Sequence, residues 1–158
     1  MGTDIHIHLE YRSRKTKRYQ YGGEMDSDRI YGLFNVMAGS EVRGDDDSLY
    51  PVRGLPGDVT QATYKDYKEW EGDAHHASWL TTIEFASCIV ESYIRNNSIE
   101  ELKLRKKYED LWEKIRLITG IETIKNDDCL LSYKKILDLM LSYEKDGETC
   151  RIIFWFDN

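Results

Sequence analysis

The sequence predicts an α+β fold, a small and mainly antiparallel sheet drawn from both ends of the chain and packed against several helices. Two alternating segments and a series of helically spaced apolar stretches predict it. In residues 3–12 every second residue is apolar, so on a strand Ile5, Ile7, Leu9 and Tyr11 share one face while Asp4, His6, His8, Glu10 and Arg12 share the other. Residues 149–156 are β-branched and aromatic and alternate likewise. Ile152, Phe154 and Phe156 fall on the core side, with Arg151, Ile153, Trp155 and Asp157 opposite.

Between these ends the elements follow from local signals. Ser13-Arg14-Lys15-Thr16-Lys17 is a polar tip leading to a second short strand near residues 18–21, hence a hairpin. Asp28 is placed to cap a helix over residues 29–38, with Gly39 as its terminator. Residues 40–59 are irregular, with an acidic turn at Gly44-Asp45-Asp46-Asp47. A helix over 61–71 carries Tyr64, Tyr67 and Trp70 on neighbouring positions. Residues 72–79 form a loop. Thr81-Thr82-Ile83-Glu84 is a capping box opening a helix to about Arg95, and Ser98-Ile99-Glu100-Glu101 is a second one, opening a charged amphipathic helix to about Thr119. A further helix spans about 129–143, with Leu130, Ile136, Leu137, Met140 and Leu141 inward. One face of the sheet is expected under helices, and the second to gather His6, His8, Glu10, Arg151 and Trp155.

The 158 residues fit one domain, able to bury about two-thirds of the unfolded chain's surface. A net charge of −7 disfavours a nucleic-acid polymer as partner, because such binders carry a basic excess. A small phosphorylated ligand needs only a few arginines and stays open. Three cysteines (Cys88, Cys129, Cys150) without metal-type spacing read as reduced thiols. With no signal-like segment and no apolar run near 18 residues, a cytoplasmic protein without a membrane partner is expected.

Five motifs in order carry a resemblance. They are Gly2-Thr3-Asp4-Ile5-His6, Arg29-Ile30-Tyr31-Gly32-Leu33-Phe34, Arg53-Gly54-Leu55-Pro56, the segment from His75 through Ser78-Trp79-Leu80-Thr81, and Phe154-Trp155-Phe156-Asp157-Asn158. The chain resembles a family of small phage and prophage proteins that share these motifs. The resemblance covers the first half and the last few residues, so residues 98–145 look like a helical insertion. It implies a phage setting, with the host cytosol as location, rather than an activity.

Each candidate functional residue has a plain structural role beside a chemical one. Asp4-x-His6-x-His8 on a strand looks like the opening metal motif of amidohydrolases and related phosphoesterases, where imidazoles two residues apart share a divalent ion. The plain alternative, favoured here, is a polar sheet face whose histidines bond to Glu10 or Asp157. Arg53, between turn-forming residues, either offers bidentate donors to a phosphate or braces its loop through carbonyls or Asp58. His75 is the better site candidate of its loop, whereas Trp79 reads first as a staple on the helix it precedes. Trp155 on the non-core face points to a ligand or a partner chain. No phosphate-cradling glycine loop, catalytic triad or reactive thiol stands out, and no cofactor is implied.

The leading expectation is a non-catalytic binding protein that sequesters a small nucleotide-type immune signal, such as a cyclic nucleotide or an ADP-ribose derivative, and so blunts host defence. Arg12 and Arg53 would meet phosphate, His6 and His75 ribose or phosphate, and Trp79 or Trp155 a base, with His8 and Arg151 completing the site. A homo-oligomer would help enclose the ligand. The alternatives are a metal-dependent hydrolase built on Asp4, His6 and His8, and an inhibitor that binds a host protein.

Overall fold

The two alternating ends of the chain pair with each other at the centre of the sheet. In this computed structural model, which describes residues 2–39, 48–96 and 130–158, the elements run β1 (Asp4–Arg12), β2 (Tyr19–Met25), α1 (Tyr31–Ala38), α2 (Gln61–Glu69), β3 (His75–Thr81), α3 (Thr82–Asn96), α4 (Leu131–Lys145) and β4 (Thr149–Asp157). The strands form one antiparallel sheet in the order β2-β1-β4-β3. This is the expected α+β fold. The β1–β4 register sets Ile7 opposite Phe154 and Leu9 opposite Ile152 on one face. On the other it sets His6 opposite Trp155, His8 opposite Ile153 and Glu10 opposite Arg151.

The apolar face packs against α1, α3 and α4. Ile7, Leu9, Ile152, Phe154 and Phe156 are fully buried with Leu33 and Phe34 of α1, Phe85 and Ile89 of α3, and Tyr133 and Met140 of α4. Full burial of each such aliphatic or phenyl side chain contributes about 1.5–3 kcal/mol before entropy is counted. The Thr81–Glu84 capping box forms as read. The Thr81 N–H donates to Glu84 Oε2 at 2.9 Å, and the Glu84 N–H to Thr81 Oγ1 at 3.3 Å. Gly39 closes α1 at φ 72°, a left-handed conformation that favours glycine, its N–H bonding Asn35 O.

Several expectations are corrected. The second face of the sheet is not open, because residues 53–70 cross it as a strap ending in α2. Thr63, Asp66, Tyr67 and Trp70, spaced as one helical face, meet Glu10, His8, Trp155 and His6 in turn. Residues 75–79 are not a loop. They belong to β3, whose backbone pairs with β4 across a bulge between His75 and Ser78, with His76 at φ 53°. Short, polar β3 lacks clean alternation because the bulge breaks its period. Strand β2 runs on to Met25 instead of stopping near residue 21. Its register shifts by one residue opposite Leu9 and Glu10, and Gly22 permits this, since a Cβ there would meet Leu9 Cδ2 at 2.4 Å. Asp28 does not cap α1, which starts at Tyr31 after Ile30 without a side-chain cap. Instead the Asp28 N–H donates to Ser132 Oγ and its carbonyl accepts from the Tyr133 hydroxyl, tying the segment to α4. Leu141 faces outward at 41% exposure, and Tyr133 takes an inward place. The acidic turn, the second capping box, its helix and Cys129 lie outside the described residues. No described helix is long and apolar enough to cross a membrane.

Candidate functional site

The polar face of β1 and β4 divides into a clasp at one end and a cleft at the other. The clasp centres on Arg151. Its Nε and Nη2 donate to Glu10 Oε1 at 3.1 and 2.7 Å, its Nη1 to Asp58 Oδ1 at 2.8 Å, and Nη2 also to the Asp58 carbonyl. Glu10 Oε2 accepts from the Thr60 N–H and the Thr63 hydroxyl. The guanidinium lies 3.5 Å from the centre of the Tyr19 ring. Glu10 and Arg151 are both buried. Charges taken this far from water persist only with such complete partnering, so Arg151 anchors the strap to the sheet.

Arg53 is engaged in the same way. Its Nη1 and Nη2 donate to the two Glu84 oxygens at 2.8 and 2.6 Å, and Nη1 also to the Trp79 carbonyl. Its guanidinium covers the Trp79 ring at 4.5 Å. The bracing role is therefore the one seen, with Glu84 as its carboxylate rather than Asp58, which serves Arg151. The Arg53 hydrogen bonds hold the Glu84 carboxyl below its ordinary pKa, against the opposing effect of partial burial. Trp79 is a strand residue under Arg53 and not a staple. Arg12 is exposed near Tyr19, six residues along β1 from His6 and so roughly 20 Å from the cleft.

Trp155 is fully buried inside its own chain. It stacks on His8 (4.9 Å between ring centres, 12° between planes) and on His6 (5.6 Å, 18°), while Tyr67 of α2 meets it edge-on at 5.2 Å. The strap thus supplies the cover that the sequence assigns to a partner chain or a ligand.

His6 and its surroundings form the cleft. His6 Nε2 donates to Asp157 Oδ2 at 3.0 Å, Nδ1 lies 3.7 Å from Glu24 Oε1, and Trp70 packs on the ring at 4.3 Å. The cleft has a volume of about 290 Å³ and is lined by Asp4, His6, Glu24, Asp26, Arg29, Trp70 and Asp157, among others. Its lining arginine, Arg29, donates twice to Asp4 Oδ1, at 2.9 and 2.6 Å. Chemically the cleft offers carboxylate acceptors, one oriented imidazole and one indole platform.

His8 is next along the strand and far more enclosed. Its Nδ1 meets Tyr21 Oη at 3.0 Å. Nε2 lies 2.9 Å from Asp66 Oδ2, but without the alignment of a hydrogen bond. Burial holds its pKa below the ordinary value despite the nearby Asp66 and Glu24 carboxylates. Asp4, His6 and His8 share a face yet turn to separate partners: Arg29, Asp157 and Asp66. His75 sits at the same end of the sheet, its Nε2 3.4 Å from Asn158 Oδ1 and its Nδ1 2.7 Å from His76 Nδ1. Cys150 is buried, which pushes its thiol up to about 12, and Cys88 is fully buried, so neither is an activated nucleophile.

The sequence reading singled out His6 and His8 but not the groups that complete their surroundings, namely Tyr21, Glu24, Arg29 and Asp66. The spacing of Thr63, Asp66, Tyr67 and Trp70 is a signal that was present, although it mixes polar and aromatic residues and so gives no apolar stripe. No protein-family model, curated protein or solved structure matches the chain.

Proposed function

We propose that the protein is a binding protein for a small nucleotide-type ligand, held in the His6 cleft chiefly by its ribose and base. The observation that carries this is the grouping of Trp70, His6 and the Asp157, Glu24 and Asp4 carboxylates around one cavity of about 290 Å³. Carboxylates accept hydrogen bonds from vicinal hydroxyls, as acidic residues do from ribose in dinucleotide sites. An indole offers a flat face to a base, worth about 1–3 kcal/mol per stacked base. Phosphate groups would find little charge there, since Arg53 and Arg151 have internal partners and Arg29 serves Asp4. The phosphates of such a ligand then point toward solvent, and binding rather than bond cleavage is the function.

The phage-type motifs set this proposal in host defence, with a cyclic nucleotide or an ADP-ribose derivative as the signal removed. A homo-oligomer that closes over the cleft belongs to the same proposal and is read by light scattering with and without ligand. The deciding experiment incubates the full chain with a panel of such nucleotides, removes the excess, denatures the protein and identifies what is released by mass spectrometry. Retention of one compound, chemically unchanged, supports sequestration. Retention of none, or recovery of a cleaved product, overturns it.

A further inference from the structure

We propose that His8, Glu24 and Asp66 form a divalent transition-metal site beside the ligand cleft. Among the described residues these three offer one imidazole nitrogen and two carboxylate oxygens within 4.8 Å of one another. They come from three separate elements, β1, β2 and α2, so the cluster is not a run of surface acids.

The imidazole supplies the independent observation. His8 is 1% exposed, and its Nε2 is enclosed without a hydrogen bond. A buried ring nitrogen in that state is costly. Nε2 faces Asp66 Oδ2 at 2.9 Å, off the line a hydrogen bond needs. Two adjacent ligand atoms, each about 2.1 Å from a common ion, stand about 3.0 Å apart in octahedral and about 3.4 Å apart in tetrahedral geometry, so the short but misaligned contact has the spacing of neighbouring ligands.

The rest of the ring is held as a ligand's would be. In the tautomer that donates Nδ1–H to Tyr21 Oη, 3.0 Å away, Nε2 carries a lone pair beside the two carboxylates, and an outer partner of this kind is the usual companion of a metal-bound histidine. Stacking on Trp155 fixes the ring plane. Glu24, whose side chain is 56% exposed, has the rotamer freedom to close on the other two ligand atoms. One imidazole with two carboxylates suits Zn²⁺ or Mn²⁺, whereas Mg²⁺ and Ca²⁺ prefer all-oxygen shells. Glu24 also lines the cleft, so the site and the cleft share this carboxylate.

The test titrates the full chain, stripped with chelator, with Zn²⁺, Mn²⁺ and Mg²⁺ alone, by calorimetry and thermal shift and without any nucleotide. Zn²⁺ or Mn²⁺ should bind one per chain and raise Tm, with Mg²⁺ weaker. Glu24→Gln, an exposed position that leaves the fold intact, and Asp66→Asn should each weaken binding by at least about tenfold, since even outer-shell losses cost 10–100-fold. A His75→Ala, His76→Ala double variant should leave it unchanged. The proposal is overturned by absence of one-to-one uptake, by affinity indifferent to Glu24→Gln and Asp66→Asn, or by loss of binding in the His75/His76 variant alone. Because no nucleotide is present, these outcomes are independent of the proposed ligand.

Discussion

The polar residues on the second face of the sheet have committed internal partners, and this makes single substitutions there asymmetric. Glu10 and Arg151 form a buried pair that is complete only together. Arg151→Met alone strands a buried carboxylate and should cost about 3–5 kcal/mol, whereas the Glu10→Leu, Arg151→Met double variant should recover most of that. Urea unfolding of the three proteins checks it, and a double variant no more stable than the worse single one would sink the idea. Trp155 presents a second contrast. Its Nε1 has no hydrogen-bond acceptor, so Trp155→Phe keeps an aromatic stack and removes an unpaired donor. It should stay within about 1.5 kcal/mol of the parent, while Trp155→Ala should lose about 3–5 kcal/mol.

At the scale of elements, the strap over residues 53–70 is pinned at its start by Arg53 and along its length by Arg151, His8 and Trp155. The Arg53–Glu84 contact joins the strap to the first turn of α3. Arg53→Met should therefore cost about 1–2 kcal/mol at pH 7. The same pair sets a pH signature. Glu84 has its carboxyl lowered chiefly by Arg53, so its contribution is fully present above the unfolded value near 4.5 and fades as pH falls through the folded one. The stability gap between parent and Arg53→Met should then be widest near neutrality and narrow below about pH 4.5. Chemical denaturation at pH 7, 5 and 3.5 measures it, and a gap that grows on acidification contradicts the assignment.

Across the whole molecule, the sequence made the sheet legible and its cover obscure. Strands β1 and β4 could be read because alternation is a strict period-two signal, and their face assignment put His6, His8, Glu10, Arg151 and Trp155 together, while the register that sets His6 opposite Trp155 and Glu10 opposite Arg151 is visible only in the structure. The Thr81–Glu84 cap was legible because it is entirely local. Helix α2 was found, but not its docking. Its inner face pairs Thr63 and Asp66 with buried polar groups on β1, a complementarity that no one-dimensional hydrophobic pattern displays. Once that strap is in place, Arg151, Trp155 and much of His8 pass into the interior, and Arg53 is spent on Glu84. On this face of the sheet, among the described residues, the His6 cleft stays open, its members drawn from both chain ends, β2 and the end of α2.

In the proposed function the ligand binds at this cleft and not at the arginine loop. The most direct measurement is the affinity of the retained nucleotide for the parent, Trp70→Ala and Arg53→Met, each confirmed as folded. Loss of a stacked base at Trp70 should weaken binding by at least about fivefold, and Arg53→Met should change it by less than about threefold. The reverse order would place the ligand at Arg53 and contradict this account.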